Sequence, residues 1–486
     1  MDLQPLVFRP VMFRRALLLG NVPEMANSPT VRLAAARNRI RDLPLLRAAP
    51  SLGQQFLRLT IIPLMFLSIL APVVRVSDMF WLKLDELLLP IIAIVYFWLM
   101  LAGLARPIPP NAMYVVAFVF CLSISVSMAW GTKVLGHPLL ARDFFELPKT
   151  VFPVLFFTLA YEADLPERSL RALVVWLVPA VLLISAYAYG QWFNLGFTYF
   201  LQPYYSGGAH DEGSLEHYRR VYSTLSNPNT LAILMTWVIA AFAMAALFRV
   251  GRRFWMLTAL VASLITLTMT GSRYGLIDTV FALVLIYLLP APTESSKLKR
   301  RTILFVSIPL VLGAILVVAA TNRATLERFQ MLESPMRENS LRKRLDSLWI
   351  EAADQFLESP VFGHGPARII FSDIVTDSEY LQILKQFGLI GLLPYLCYFI
   401  VPLAMMWKGI KNVMRAGRPL EQEWRGTYWG LCLGFLMPLT CLAMNIGMGT
   451  YYDTSLVAFT WMWMGIGVSC ANRVEKLGEL GASRTF

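Results

Sequence analysis

Three groups of polar residues interrupt an otherwise apolar chain, and the first is a single arginine. Arg273 stands in Thr270-Gly271-Ser272-Arg273, between apolar runs at 254–270 and 274–290. A charge beside hydrocarbon costs about 2.5–3.5 kcal/mol on insertion scales, so one that persists is a functional candidate. Gly271 and Gly275 flank it and let backbone or ligand come close. A guanidinium at headgroup depth suits a bidentate hold on a phosphate or diphosphate, or on lipid phosphate as an interface anchor.

The second group runs from Arg219 and Arg220 to Asn227-Pro228-Asn229, just before another apolar run. Asn-Pro-Asn is a turn that also caps the incoming helix, and it would hold the two arginines at a membrane surface. The third group contains Arg342-Lys343-Arg344 and Trp349, then Glu358-Ser359-Pro360 and Gly363-His364-Gly365, and finally Asp377-Ser378-Glu379-Tyr380. His364 in its glycine turn has the chemistry to donate to a sugar or phosphate, or to act as acid or base. Asp377 and Glu379 lie at the mouth of a span, where one can accept a proton while the other binds hydroxyls, or both can complement the helix N-terminus.

The elements that must position these residues are membrane spans. Of 486 residues, 57% are hydrophobic and only 15% charged, too apolar for an ordinary globular protein. Length and flanking charge predict about twelve spans, near 56–75, 80–102, 111–130, 149–163, 171–191, 228–248, 254–271, 274–290, 302–320, 386–407, 427–446 and 454–471. The net charge of +12 sits mostly in short segments between these runs, so it reports orientation, not nucleic acid. If both termini are cytoplasmic, every inner segment is basic, as the positive-inside rule requires.

On that reading residues 1–55 form a basic cytoplasmic arm that stays attached and 56–320 carry nine spans. A large external loop at 321–385 follows, then three spans in 386–471 and a cytoplasmic tail at 472–486. Within the loop, Leu341, Leu345, Leu348, Trp349, Ala352, Ala353 and Phe356 recur at helical spacing, predicting an amphipathic helix at 338–358 that ends at Ser359-Pro360. The five cysteines all fall in apolar runs and lack metal-site spacing.

Taken in order, four pieces resemble the bacterial O-antigen ligase and polymerase superfamily: Arg220…Asn227-Pro228-Asn229, Thr-Gly-Ser-Arg273, Arg344…Trp349…Glu358-Ser359-Pro360…Gly363-His364-Gly365, and Glu379-Tyr380-Leu381…Gly388-Leu389-Ile390-Gly391. The similarity covers about 220–395. It implies an all-α, GT-C-like membrane glycosyltransferase that uses undecaprenyl-diphosphate-linked oligosaccharide at the periplasmic side of the inner membrane, with no metal or other cofactor. Arg220 and Arg273, with Arg344 and the neighbouring Arg342, would bind the diphosphate. Asp377, Glu379 and His364 are the candidates for proton transfer, and Asn227, Asn229 and Tyr380 are further candidate substrate contacts.

The ligase branch commonly has His-Asn where this chain has Asp377-Ser378, which favours a repeat-unit or exopolysaccharide polymerase. A ligase acting on lipid A-core, or a flippase for the same lipid-linked sugars, is the alternative. The expected partners are the lipid-linked substrate, membrane lipids, and a flippase and chain-length regulator of the same pathway; no nucleic acid is expected.

Overall fold

The computed structural model describes residues 50–77, 80–205, 220–225, 227–290, 313, 348–367, 378–415, 424–446 and 454–482. The predicted span at 302–320 (Gly313 apart), the N-terminal arm up to residue 49, and Asp377, Arg342 and Arg344 lie outside the described residues.

Helix α1 (Leu52–Leu70) starts at a capping box, in which Ser51 Oγ accepts from Gln54 N–H while Gln54 Oε1 accepts from Ser51 N–H. A short antiparallel hairpin follows, β1 (Val73–Ser77) and β2 (Phe80–Lys83). The chain then forms α2 (Leu84–Leu101), α3 (Ala112–Lys133), a 3₁₀ turn (Ala141–Phe145), α4 (Glu146–Ala163), α5 (Glu167–Trp192) and the short α6 (Gly196–Tyr205). After these come α7 (Pro228–Phe248), α8 (Arg253–Met269), α9 (Arg273–Leu288), α10 (Trp349–Glu358), α11 (Glu379–Arg415), α12 (Arg425–Met444) and α13 (Thr454–Ala482).

Eight of the described helices are long and apolar enough to cross a membrane, and the protein is a polytopic, essentially all-helical membrane protein. Eleven of the twelve expected spans fall on described helices. The hairpin was not expected, although β-branched Val73, Val74 and Val76 favour extended backbone. The tenth span starts at Glu379 and not near 386, and of the predicted 338–358 helix the described part is 349–358.

The long helices run alternately between two ends of the bundle. At one end, the Arg473 end, Arg58 donates to the carbonyls of Ala163 and Asp164, and the Glu167 carboxylate accepts from Gly426 N–H and Thr427 N–H. At the opposite Arg273 end, the carbonyls closing α1 accept from Lys83 Nζ at Ser68 and from Thr224 Oγ1 at Ile69.

Helix α7 is almost wholly enclosed, with α8, α9 and α12 packed on it. In lipid there is no hydrophobic drive between helices, so close packing of small residues and interhelical hydrogen bonds take its place. Both are present. A Cβ on Gly434 would lie 2.7 Å from Gly467 Cα, and Trp237 Nε1 donates to Thr440 Oγ1 at 2.8 Å. Outward side chains such as Leu59 and Phe118 are 76% and 69% exposed, as lipid-facing positions should be. None of the five cysteines, all among the described residues, is in a disulfide.

Candidate active site

Arg273 is the first residue of α9. Gly271 takes a positive φ of 60° to turn the chain out of α8, and Ser272 caps α9 by accepting from Gly275 N–H at 3.3 Å. A Cβ on Gly275 would stand 2.5 Å from Ala232 Cβ, so α9 lies directly against α7. Thr236 and Thr279 share a hydroxyl–hydroxyl hydrogen bond of 2.8 Å one turn further in. Helices α8 and α9, at 17 and 16 residues, rise only about 26 and 24 Å, short of the roughly 30 Å hydrocarbon core.

Arg220 reaches the same turn from the segment before α7. Its Nε donates to Thr270 O at 2.8 Å and one terminal nitrogen donates to Asn229 Oδ1 at 2.7 Å. Its stem lies over Gly271, whose Cβ position would be 3.6 Å from Arg220 Cγ. The Asn-Pro-Asn motif divides its work. Asn227 is the N-cap, accepting from Asn229 N–H at 2.7 Å; Pro228 opens the helix; the Asn229 side chain holds Arg220.

The Gly363-His364-Gly365 turn docks into a break in α11. Gly388 has φ 62° and ψ −163°, which interrupts that helix. Across the break His364 N–H donates to Lys385 O and Gly365 N–H to Gln386 O, while Leu389 N–H donates to Pro360 O and Ile390 N–H to Val361 O. Ser127 of α3 donates to Gln386 O and accepts from Gly365 N–H. Only glycine fits at the crossing: a Cβ on Gly363 would sit 2.4 Å from Gln386 O, and one on Gly388 2.3 Å from Val361 O.

His364 is buried here, with Nε2 2.7 Å from Gln355 O, Nδ1 3.1 Å from His137 Nε2, and the Glu358 carboxylate 3.6 Å away. A carbonyl only accepts, so His364 Nε2 carries a proton; in the neutral pair His137 Nε2 then donates to His364 Nδ1. Burial, followed by repulsion from His364, lowers the His137 pKa from its ordinary value, with Glu358 opposing.

Glu379 and Ser378 are buried, and Glu379 N–H donates to Asn445 O at 3.0 Å. Tyr380 turns its hydroxyl to Leu442 O of α12, and Asn445 Nδ2 donates to Tyr395 OH at 2.6 Å. Arg220 and Arg273 are thus joined at one turn, and His364 is joined to the start of α11 through the break. Both groups belong to the Arg273 end.

Two polar residues of this region, His137 and Asp278, stand outside the motifs that the sequence singles out. His137 lies 227 positions from its partner. Asp278, one and a half turns past Arg273, is 4% exposed, and neither of its carboxylate oxygens has a hydrogen-bond partner among the described residues. An acid inside the predicted span 274–290 was the available signal for it.

Residues 258–396 match the family described as O-antigen ligase. A comparison with curated proteins finds no match. The matched segment runs from α8 through the Arg273 turn and the Gly363–Gly365 joint into α11 beyond its break, so the resemblance read from the residues holds over this stretch. Arg220, Asn227 and Asn229 precede it.

Proposed function

We propose that this protein is a membrane glycosyltransferase of the O-antigen ligase and polymerase type, extending undecaprenyl-diphosphate-linked oligosaccharide repeat units at the periplasmic face of the bacterial inner membrane. The observation that carries the reading is Arg220, bound to the Thr270 carbonyl and lying over Gly271 in the same turn that leads into Arg273 at the start of α9. The positive-inside rule gives no reason for cations there, whereas a departing diphosphate does.

In the proposed reaction a sugar hydroxyl oxygen attacks the anomeric carbon of the donor. The bond from that carbon to the diphosphate oxygen breaks, and undecaprenyl diphosphate leaves with the electron pair. The hydroxyl proton passes to Asp377 or Glu379, with His364 the third candidate. Arg220 and Arg273, with Arg342 and Arg344 as further candidates, stabilise the growing negative charge by preorganised electrostatics. Direct displacement inverts the anomeric configuration.

Asp377-Ser378 in place of a His-Asn pair favours polymerisation over transfer to lipid A-core; the description of the matching family favours the ligase. Purified protein given undecaprenyl-diphosphate oligosaccharide should release undecaprenyl diphosphate and build a longer glycan with inverted linkages, read by mass spectrometry and NMR. Retention at the anomeric carbon, or substrate crossing the bilayer with no new bond, overturns the reading. Transfer only when lipid A-core is supplied selects the ligase.

A further inference from the structure

We infer that α6 is an interfacial helix, held flat in the lipid interface at the Arg273 end by Phe197, Phe200 and Tyr204. The inference goes beyond the proposed reaction and does not depend on it.

The sequence holds too much uncharged chain here for one span. No residue in 172–205 is charged, a stretch well beyond the roughly 20 residues that a crossing needs. The 26 residues of α5 rise about 39 Å, enough to carry its end through a hydrocarbon core of roughly 30 Å. The chain then turns at 193–195 and spends the remainder on α6, whose ten residues cover only about 15 Å and cannot cross again.

Both ends of α6 are tied to the same end of the bundle. Near its start Thr198 is buried, and its carbonyl accepts from Tyr187 OH at 3.4 Å, in the last two turns of α5. At its close Tyr205 OH donates to Leu70 O at 3.1 Å, where α1 finishes. The helix therefore lies across the bundle end, from one span to another. Phe197, Phe200 and Tyr204, at i, i+3 and i+7, share a face turned away from these ties and are 51%, 72% and 51% exposed. Phe193 and Leu195 in the turn are exposed as well, so the apolar surface does not stop where α5 ends. An uncharged aromatic face that prolongs the surface of a membrane span suits the headgroup boundary, where aromatic rings gather.

The anchor bears on Arg220, because that segment rests on the same two supports. Tyr222 N–H and Ser223 N–H donate to Gln191 Oε1 at the end of α5, and Thr224 Oγ1 donates to Ile69 O, next to Leu70. Lipid that holds α6 thereby also sets the level of residues 220–225.

The test places a nitroxide on Phe200→Cys, and separately on Phe197→Cys and Tyr204→Cys, in the full-length protein in phospholipid bilayers, with the unsubstituted protein as the labelling background. Collisions with oxygen, which concentrates in lipid, are compared with collisions with a water-soluble nickel chelate. All three labels should favour oxygen, at a depth of about 5–10 Å into the headgroup and acyl boundary. Adding Phe197→Asn and Tyr204→Asn to the Phe200→Cys protein should lower its ratio of oxygen to nickel collisions severalfold. The inference is overturned if the labels meet the nickel chelate more often than oxygen, or if that double substitution leaves the ratio unchanged. Shielding of position 200 only once oligosaccharide is added also overturns it, and makes the face a glycan platform. The readout needs no turnover, so the labels decide the inference even if the glycosyl transfer proposed above fails.

Discussion

Two arginines at opposite ends of the bundle are held differently. Arg473 pairs with Asp164, whose Oδ1 also accepts from Ser469, and near it Arg171 pairs with Glu167, whose carboxylate also accepts from the start of α12, while Arg58 donates to two carbonyls. At the Arg273 end two bonds of Arg220 go to neutral acceptors, the Thr270 carbonyl and the Asn229 carboxamide. A carboxylate partner orients a cation by cancelling it, whereas a neutral acceptor orients it and leaves its field intact. The first arrangement suits holding helices together; the second suits meeting an anion.

That contrast can be broken most decisively at Arg273. Arg273→Ala should lower glycan transfer by roughly 10²–10³-fold, the loss typical of a removed charge-stabilising group, with unfolding temperature little changed. Arg473→Ala should leave turnover within about twofold. Equal losses of turnover from the two substitutions would erase the functional difference between the ends.

Gly388→Ala tests a different kind of dependence, because its Cβ would meet the Val361 carbonyl at 2.3 Å. A stability loss of about 3 kcal/mol or more is expected from a blocked backbone crossing at positive φ, visible as a lowered unfolding temperature. A protein as stable as the parent would show that the joint is not rigid. Smaller again is the loss expected from Arg473→Ala, about 1 kcal/mol, since its pair with Asp164 is partly open to solvent.

The smallest effect concerns pH. The His137 pKa is lowered in the folded protein, so protons bind the unfolded chain more readily. Stability from the neutral pair is then complete above the ordinary histidine pKa of about 6.5 and is lost as pH falls through the lower folded value. His137→Gln should flatten that part of the stability profile measured between about pH 7 and 5. A profile unchanged by the substitution would rule the histidine pair out as its source.

The spans were legible because some twenty apolar residues in a row admit few other structures, and the tight Arg273 turn was legible from two such runs meeting. The hairpin at 73–83 was too short to register against the long apolar runs on either side. The break in α11 could not be read from Gly388-Leu389-Ile390-Gly391, which sits inside an apolar stretch and looks helical throughout. It exists because Pro360–Gly365 supplies the backbone partners that the interrupted helix lacks. The separate duties of Asn227 and Asn229 were equally hidden, since Asn229 has a second role only once the Gly271 turn, some forty residues on, brings Thr270 against Arg220. Tyr380, expected among the substrate contacts, faces Leu442 of α12, an arrangement that depends on a helix 62 positions away.

The joint at Gly388 also limits how this protein can move. Four peptide hydrogen bonds cross it, and withdrawing the Pro360–Gly365 segment would break all four at once, at about 0.5–1.5 kcal/mol net apiece even where water replaces them. Breaking the four together opposes any swinging aside of that stretch as a gate at each turnover. Any shift of α10 is handed on mechanically to the first two turns of α11, where Glu379 stands.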